Sequence, residues 1–245
     1  VLFLYRILRA GPNSILYFQD DIADRNTYKK AEAIRVVQVF LGFLFFIFHS
    51  TVFLGLFNTL LFFISSFLIS LFLELIGANK GYIFGKYSYN TQLCPGPLVG
   101  NVPILIALSW TGLIYMSLNY SFIIIGINFN DLITLKNILF TSLLITILDL
   151  VLDPIAVDEG RWKWQSPGKY YGIPIKNFFG WFFNTAIILS FYKFFSKEHF
   201  LNEELEFYII YSPGILFTLL PIIAARPCFE RKLLWAGIIL SLIHI

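Results

Sequence analysis

The chain has 245 residues, of which 58% are hydrophobic, only 13% are charged and 28 are phenylalanine. This balance excludes an ordinary soluble domain and is typical of an integral membrane protein. The net charge of +3 comes from basic residues that are spread among loops and interleaved with acids, so no nucleic-acid partner is expected.

Apolar segments of membrane-spanning length follow one another along the chain. A helix crosses the bilayer with roughly 20 mostly apolar residues. The sequence therefore predicts an all-α, polytopic transmembrane helix bundle that forms a single integral membrane domain over residues 1–245. About seven spans are predicted, at residues 31–49, 51–77, 102–126, 136–153, 178–195, 207–225 and 233–245. The count is seven plus or minus one, because the initial "VLFLYRIL" has the composition of the end of an earlier helix.

The basic residues indicate the side of the membrane on which each loop lies, since cytoplasmic loops carry an excess of Lys and Arg. With seven spans, every Lys and Arg except Lys136, Lys193 and Lys197 falls on one side. That side is predicted to be cytoplasmic. It holds the N-terminus, the two long loops and the short loop before the last span. The expected location is the cell membrane.

Two of the predicted cytoplasmic loops, 78–101 and 154–177, are long and rich in Gly, Pro, Tyr and Trp. Long, structured loops in a compact protein tend to be functional. Each loop follows a helix that ends in acid, contains a Lys-Tyr pair at 86–87 or 169–170, and returns to the membrane through a Gly and a Pro. We interpret them as two quasi-equivalent helix pairs that meet around one cytoplasmic-side site.

Three carboxyl groups are predicted to lie at a similar depth beside these loops. Asp149 and Asp153 are four residues apart, so they share one face of a helix, and Glu74 lies near the end of its own helix. Carboxylates inside a membrane segment are costly and usually face a cavity or a partner. The three are predicted to converge on one pocket, whereas Asp158 and Glu159 are assigned to the solvated loop.

The residues alone leave several interpretations of this cluster open. In the simplest one, Asp153 sits at the membrane interface and Asp149 pairs with a basic loop residue. A catalytic cluster has two uses here: general acid catalysis by a carboxyl that keeps its proton, or Mg²⁺ binding against a diphosphate, as in prenyl transfer. Prenyl transfer normally needs a second acid-rich motif, and only Glu74 is available for that. A proton-coupled transporter also suits intramembrane acids and a repeat.

Between about residues 70 and 185 the chain resembles a known family. The segments that carry the resemblance are "LELIGANKGYIFGKYSYN", "GPLVGNVPILIALSW" and "LDLVLDPIAVDEGRWKWQSPGKYYGIPIKNFFGWFF". They are similar to the carotenoid biosynthesis membrane proteins, a family that includes the bacterioruberin-type and γ-carotene-type carotenoid hydratases. In that family an acidic residue precedes a G-x-x-F-G-x-Y-x-Y loop, which is followed by a D-x-x-x-D-P helix end, a Trp-x-Trp and a Y-[FY]-G-[IV]-P-x-x-N-F-x-G-W re-entry.

The family's pattern maps onto this sequence residue by residue. It falls on Glu74, Gly81, residues 84–89, residues 149–154, Trp162, Trp164 and residues 170–181. Lys86 stands where Arg is expected, a change that keeps the charge and loses the planar hydrogen-bonding fork.

The resemblance implies that the protein adds water across a terminal isoprenoid C=C of a long acyclic carotenoid, giving a tertiary alcohol without a cofactor or a bound metal. Such a reaction needs a neutral carboxylic acid, stabilisation of a tertiary carbocation and a placed water. Asp149 or Asp153 is the expected proton donor. The other carboxyl and Glu74 are expected to stabilise the cation or orient the water.

Aromatic and amide side chains of the matched region complete the expected site. Ring faces for the cation are expected from Tyr82, Trp162, Trp164, Tyr170 and Tyr171. Asn177, Tyr87 or Tyr89 is expected to hold the water, and Trp181 is counted with the substrate-binding residues. Each aromatic also has an ordinary explanation, since Trp and Tyr are enriched at membrane interfaces. The expected partners are the lipid bilayer, the carotenoid and other enzymes of the carotenoid pathway.

Overall fold

The computed structural model of the chain describes residues 25–91, 93–94, 96–126, 133–197, 207–230 and 232–243. This part is mostly helical, as predicted. Its helices are α1 (Arg25–Lys80), α2 (Ile104–Ile125), α3 (Leu135–Asp158), α4 (Ile175–Phe195), α5 (Phe207–Glu230) and α6 (Leu234–Ile243). The initial "VLFLYRIL" lies outside the described residues.

Four helical segments within these ranges are long and apolar enough to cross a membrane. They are Val36–Lys80, Ile104–Ile125, Leu135–Asp158 and Ile175–Phe195. The apolar segment Ile209–Leu219 of α5 is shorter. These helices match the predicted spans from residue 31 to 195 in order, and they fit a membrane protein.

Helix α1 turns back on itself at Gly55, whose φ of 76° and ψ of 160° are not helical. The rings of Phe43 and Phe63, on either side of this break, have centroids 5.1 Å apart. In a continuous helix residues twenty positions apart are separated by about 30 Å. The two halves of α1 therefore form an antiparallel hairpin. The first two spans were predicted to be separated at residue 50. That position is helical instead, and Gly55 makes the turn.

Local sequence signals set the starts of the other helices. Pro103 precedes α2 and Pro174 precedes α4 in extended conformation, which suits a residue with a fixed φ and no N–H to satisfy. Helix α3 begins with a capping box between Thr134 and Asn137. It continues through Pro154 to Asp158, five residues beyond the predicted end of the span.

The core of the bundle is aromatic. Helix α1 packs against α2 and α4, and α2 packs against α3 and α5. The buried Tyr115 ring meets Phe46 and Phe62 edge-on at centroid distances of 5.0 and 5.6 Å, and Phe62 meets Tyr192 at 5.2 Å. Edge-to-face pairs of this kind stabilise a packed core beyond the area that they bury. They hold together the helices that carry the site.

Short strands join the two long loops, which the sequence did not predict. Strand β1 (Tyr87–Tyr89) pairs antiparallel with β4 (Trp162–Trp164), and β2 (Leu98–Val99) pairs with β3 (Val102–Pro103). We call the β1–β4 pair the ribbon. The two loops therefore meet, but the ribbon does not follow the interpreted repeat, which aligned residues 86–87 with 169–170.

The conformation of Gly55 predicts a specific cost of substitution. Its φ and ψ lie in a region that is essentially restricted to glycine, so Gly55→Ala should destabilise the hairpin by about 1–3 kcal/mol. Thermal unfolding of the detergent-solubilised protein would measure the change. Gly42→Ala is the matched control in the same helix, because an added Cβ there meets nothing within 4 Å. Equal melting temperatures for the two variants would contradict the turn at Gly55.

Candidate active site

The three predicted acids come together at one end of the bundle. Glu74 lies near the end of α1, and Asp149 and Asp153 lie near the end of α3. Their side chains interact with one another, and their residues are only 5%, 0% and 2% exposed. We call these residues the carboxyl cluster. Since charged groups in such surroundings need partners, their hydrogen bonds define what the cluster can do.

Asp149 and Asp153 form a pair held by hydrogen bonds from Asn177 at the start of α4. Asn177 Nδ2 donates to Asp149 Oδ2 at 2.8 Å and to Asp153 Oδ2 at 2.6 Å. Both Oδ2 atoms lie within hydrogen-bonding distance of the same amide nitrogen, which places the two carboxyls side by side. Two buried carboxyls this close are not both ionised, because like charges side by side in apolar surroundings repel, so the pair retains a proton. Asn177 was expected to hold water; its amide instead fixes the geometry of the two acids.

Asp149 has one oxygen left over. Its Oδ1 is buried and has no hydrogen-bond partner among the described residues. Buried polar atoms without a partner are rare and each calls for an explanation. The oxygen is available to a group that enters the site.

Glu74 is surrounded by donors. Oε2 accepts hydrogen bonds from the Tyr87 hydroxyl and, at 2.7 Å, from the Tyr89 hydroxyl, while Oε1 accepts from Trp110 Nε1 at 2.9 Å. An indole N–H can only donate. Three donors around one carboxyl satisfy both of its oxygens. Glu74 thus differs from the aspartate pair in its hydrogen bonding.

The ribbon places its rings over the carboxyl cluster. Alternation along a strand puts Tyr87 and Tyr89 on the same face of β1, and the register sets them opposite Trp164 and Trp162. The ring centroids of Tyr87 and Trp164 are 5.6 Å apart, and those of Tyr89 and Trp162 are 5.8 Å apart. Trp162 also interacts with Asp153. Four of the predicted site residues therefore cover the acids as one aromatic face.

Two of the predicted aromatic residues donate hydrogen bonds to backbone carbonyls. Helix α3 continues through Pro154, which has no N–H to offer the carbonyl four residues earlier. The Tyr170 hydroxyl donates to that carbonyl, Leu150 O, at 2.7 Å. Trp164 Nε1 donates to Phe84 O at 3.0 Å and anchors the other loop.

The remaining predicted residues lie outside the hydrogen bonds of the cluster. Tyr82 is 60% exposed. The Tyr171 hydroxyl accepts from Trp235 N at 3.1 Å, which ties the loop to α6. Trp181 stacks on Trp110 with a centroid distance of 4.0 Å, so it reaches the cluster through the ring that binds Glu74.

Sequence reasoning missed two residues that complete the region. Trp110 binds Glu74 directly; its position about two turns into α2, like that of Trp181 in α4, was the available signal. Arg161 is buried, and its Nε donates to Glu159 Oε2 at 2.5 Å. Glu159 is therefore half-buried rather than part of a solvated loop, whereas Asp158 is exposed as expected.

No group of three His, Cys, Asp or Glu side chains suited to a metal ion is found in the described ranges. Both oxygens of Glu74 already accept hydrogen bonds from the phenols and the indole.

Apolar helices with a buried acid cluster at one end fit a helical membrane protein. Comparison with known sequences gives the family: the sequence model for the carotenoid biosynthesis protein family matches residues 34–242. The chain belongs to that family, and the resemblance seen in its motifs is confirmed.

One relative is the bisanhydrobacterioruberin hydratase of Haloarcula japonica. It is 29% identical over 122 residues, which is 50% of this chain and 40% of the relative. The chain thus matches less than half the length of that protein. No solved structure matches the chain.

The pKa of the two ribbon tyrosines can be tested by titration. Burial, followed by the neighbouring Glu74 carboxyl, raises the pKa of Tyr87 and Tyr89 well above 10. Both should keep their protons at pH 10–11, where exposed tyrosines ionise. Ultraviolet titration of the folded protein should therefore count the same number of ionising tyrosines in the wild type and in the Tyr87→Phe/Tyr89→Phe variant.

The raised pKa of these two tyrosines also makes the stability of the folded protein depend on pH. A pKa raised in the folded state gives a contribution that is present below about pH 10 and is lost as the pH rises further. The wild type should therefore lose thermal stability above pH 10 more steeply than the double Phe variant. Fewer ionising tyrosines in the variant, or parallel stability curves, would contradict the burial of these phenols against Glu74.

Proposed function

We propose that this protein is a carotenoid hydratase, which adds water across the terminal C=C of an acyclic carotenoid end without a cofactor. The observation that carries the proposal is the pair of buried carboxyls of Asp149 and Asp153, bridged by Asn177, with Asp149 Oδ1 buried and without a partner among the described residues. Alkene hydration begins with a proton from a neutral acid, and this pair supplies one in apolar surroundings. The hydratase named among the relatives supports the same reaction class.

The reaction is a protonation followed by capture of a cation. The proton moves from Asp149 to the terminal alkene carbon, whose π electrons form the new C–H bond, and the positive charge falls on the tertiary carbon. A water oxygen then bonds to that carbon. The proton lost from the water returns to the aspartate pair, so the enzyme ends as it began and the net change is the addition of one water.

Glu74 and its neighbours suit the cationic stage. A carboxylate held by three donors is a fixed negative charge that needs no reorganisation when the cation forms. The stacked rings of Trp110 and Trp181 lie beside it and present π faces that attract a cation. Asn177 positions the acids, and we assign it no contact with substrate.

Membrane placement follows from the same proposal. The α1 hairpin supplies two crossings and α2, α3 and α4 supply one each. With α5 and α6 they make seven spans, with the N-terminus, the ribbon and the carboxyl cluster on the cytoplasmic side. A carotenoid dissolved in the bilayer reaches the cluster from between the helices. Other enzymes of the carotenoid pathway supply the substrate.

Substitution of the acid tests the mechanism. Asp149→Asn keeps the shape of the side chain and removes the transferable proton, so hydration should fall by about 10²–10⁴-fold. Membranes containing the protein and an acyclic carotene would be assayed by mass spectrometry for a product heavier by one water. Asp158→Asn, an exposed aspartate at the end of the same helix, is the matched control and should retain activity.

The outcomes separate the alternatives. Equal product from wild type and Asp149→Asn would reject the acid assignment. If the wild type forms no hydrated carotene but extends a prenyl diphosphate when Mg²⁺ is added, the hydratase proposal is wrong.

Cysteine labelling tests the predicted sidedness. Lys163 lies exposed on the outer face of the ribbon, and Lys136 lies exposed at the start of α3. A membrane-impermeant maleimide should label Lys136→Cys in intact cells and Lys163→Cys only after the membrane is opened. The native Cys94 and Cys228 are buried, and wild-type protein measures their background. The reverse labelling pattern would overturn the orientation.

A further inference from the structure

The carboxyl cluster is closed in this structure. Its three residues are at most 5% exposed, yet an alkene must touch the aspartate pair to be protonated. Some part of the enclosure therefore has to give way. Withdrawing the ribbon would break the hydrogen bonds of Tyr87 and Tyr89 to Glu74 and would leave that buried carboxyl short of partners.

The ring of Phe84 lies beside the carboxyl cluster and makes no hydrogen bond. Its ring is 1% exposed and lies between Gly77 of α1 and Gly180 of α4. A Cβ added at Gly77 would come within 2.6 Å of the ring, and one added at Gly180 within 2.4 Å. The two glycines therefore form a slot that is filled by one apolar group. An apolar group of similar shape can replace the ring at little cost, because no polar partner is lost.

The slot opens onto the chemistry already described. Gly77 follows Glu74 by three residues on α1, and Gly180 follows Asn177 by three on α4, so each lies one helical turn from the site on the same side of its helix. The ring of Phe84 faces Trp110, with centroids 6.4 Å apart. A group in the slot would lie against the indole that binds Glu74.

The turn that carries Phe84 is strained and flanked by glycines. Phe84 N donates to Tyr82 O at 2.6 Å, which closes a three-residue turn around Ile83 at φ 62°. This form of γ-turn is rare, and a β-branched residue at positive φ is a true outlier. Gly81 and Gly85, at φ 71° and 83°, flank it. Strained backbone of this kind persists where the surroundings impose it, often at sites that move.

We propose that Phe84 is a plug, and that the slot between Gly77 and Gly180 receives the apolar end of an acyclic isoprenoid chain when the Phe84 ring swings out of it. The chain end then takes the place of the ring beside Trp110 and Glu74. This inference rests on the proposed function for its substrate class, but chain binding is measured independently of hydration.

Thiol labelling tests the exchange. Phe84→Cys in membranes should react slowly with a water-soluble maleimide. It should react several-fold faster when an acyclic carotene, or a fully saturated acyclic isoprenoid that cannot be hydrated, is added. Ser88→Cys, on the exposed face of the ribbon, is the control and should react at one rate throughout. Wild-type protein gives the background of Cys94 and Cys228.

The saturated chain separates the two proposals. Acceleration by both chains without any hydrated product supports the plug and rejects the hydratase. Hydration of the carotene without acceleration by either chain keeps the hydratase and overturns the plug.

Kinetics test the slot itself. Gly180→Ala adds one methyl group in the slot and should raise the KM for an acyclic carotene about tenfold or more, with a smaller change in kcat. Gly112→Ala on α2, where an added Cβ meets nothing within 4 Å, should leave both constants unchanged. In the Gly180→Ala/Phe84→Ala double variant the KM should stay high. If removing the ring restores it, Gly180 serves only to seat Phe84 and the proposal is wrong.

Discussion

The burial of three carboxyl groups in an apolar bundle is the constraint on which the rest of the site depends. Each acid must be paired or protonated, because an isolated buried charge is too costly. Asp149 and Asp153 are stabilised by the amide of Asn177 and by a shared proton. Glu74 is stabilised by hydrogen bonds from two phenols and an indole. The ribbon brings the two phenols from one long loop and covers them with the tryptophans of the other.

The partners of Glu74 and of the aspartate pair differ, and that difference gives the site its chemistry. Without these different partners, three acids at one depth would have similar affinities for a proton. In the proposed reaction Glu74 acts as the negative charge that its donors stabilise, while the aspartate pair supplies the proton. Protonation of an alkene needs an acid and then a stabiliser of the cation, so one cluster contains both roles. Asp149 Oδ1 is buried and has no hydrogen-bond partner among the described residues, so it is the atom that we assign to the substrate.

Sequence reasoning located the acids but not their partners. The four-residue spacing of Asp149 and Asp153 fixes their common face from helix geometry alone, and the depth of Glu74 follows from where its apolar run ends. The ribbon could not be predicted, because its three-residue strands lie 75 positions apart and neither has a strand pattern of its own. Asn177, Trp110 and Tyr170 owe their partners to tertiary packing. The turn between the first two spans was predicted at residue 50 and lies at Gly55. Polar side chains favoured a loop at residue 50, whereas His49 and Ser50 are buried and helical.

A substrate dissolved in lipid explains why the enclosure is apolar where it must open. Water-soluble substrates reach buried acids through polar channels, whose walls would hydrate the acids and weaken every interaction in the site. A closure made of hydrogen-bonded groups would have to expose carboxyls each time that it opened. Phe84 between two glycines avoids this, because one apolar group gives way to another and no carboxyl loses a hydrogen bond.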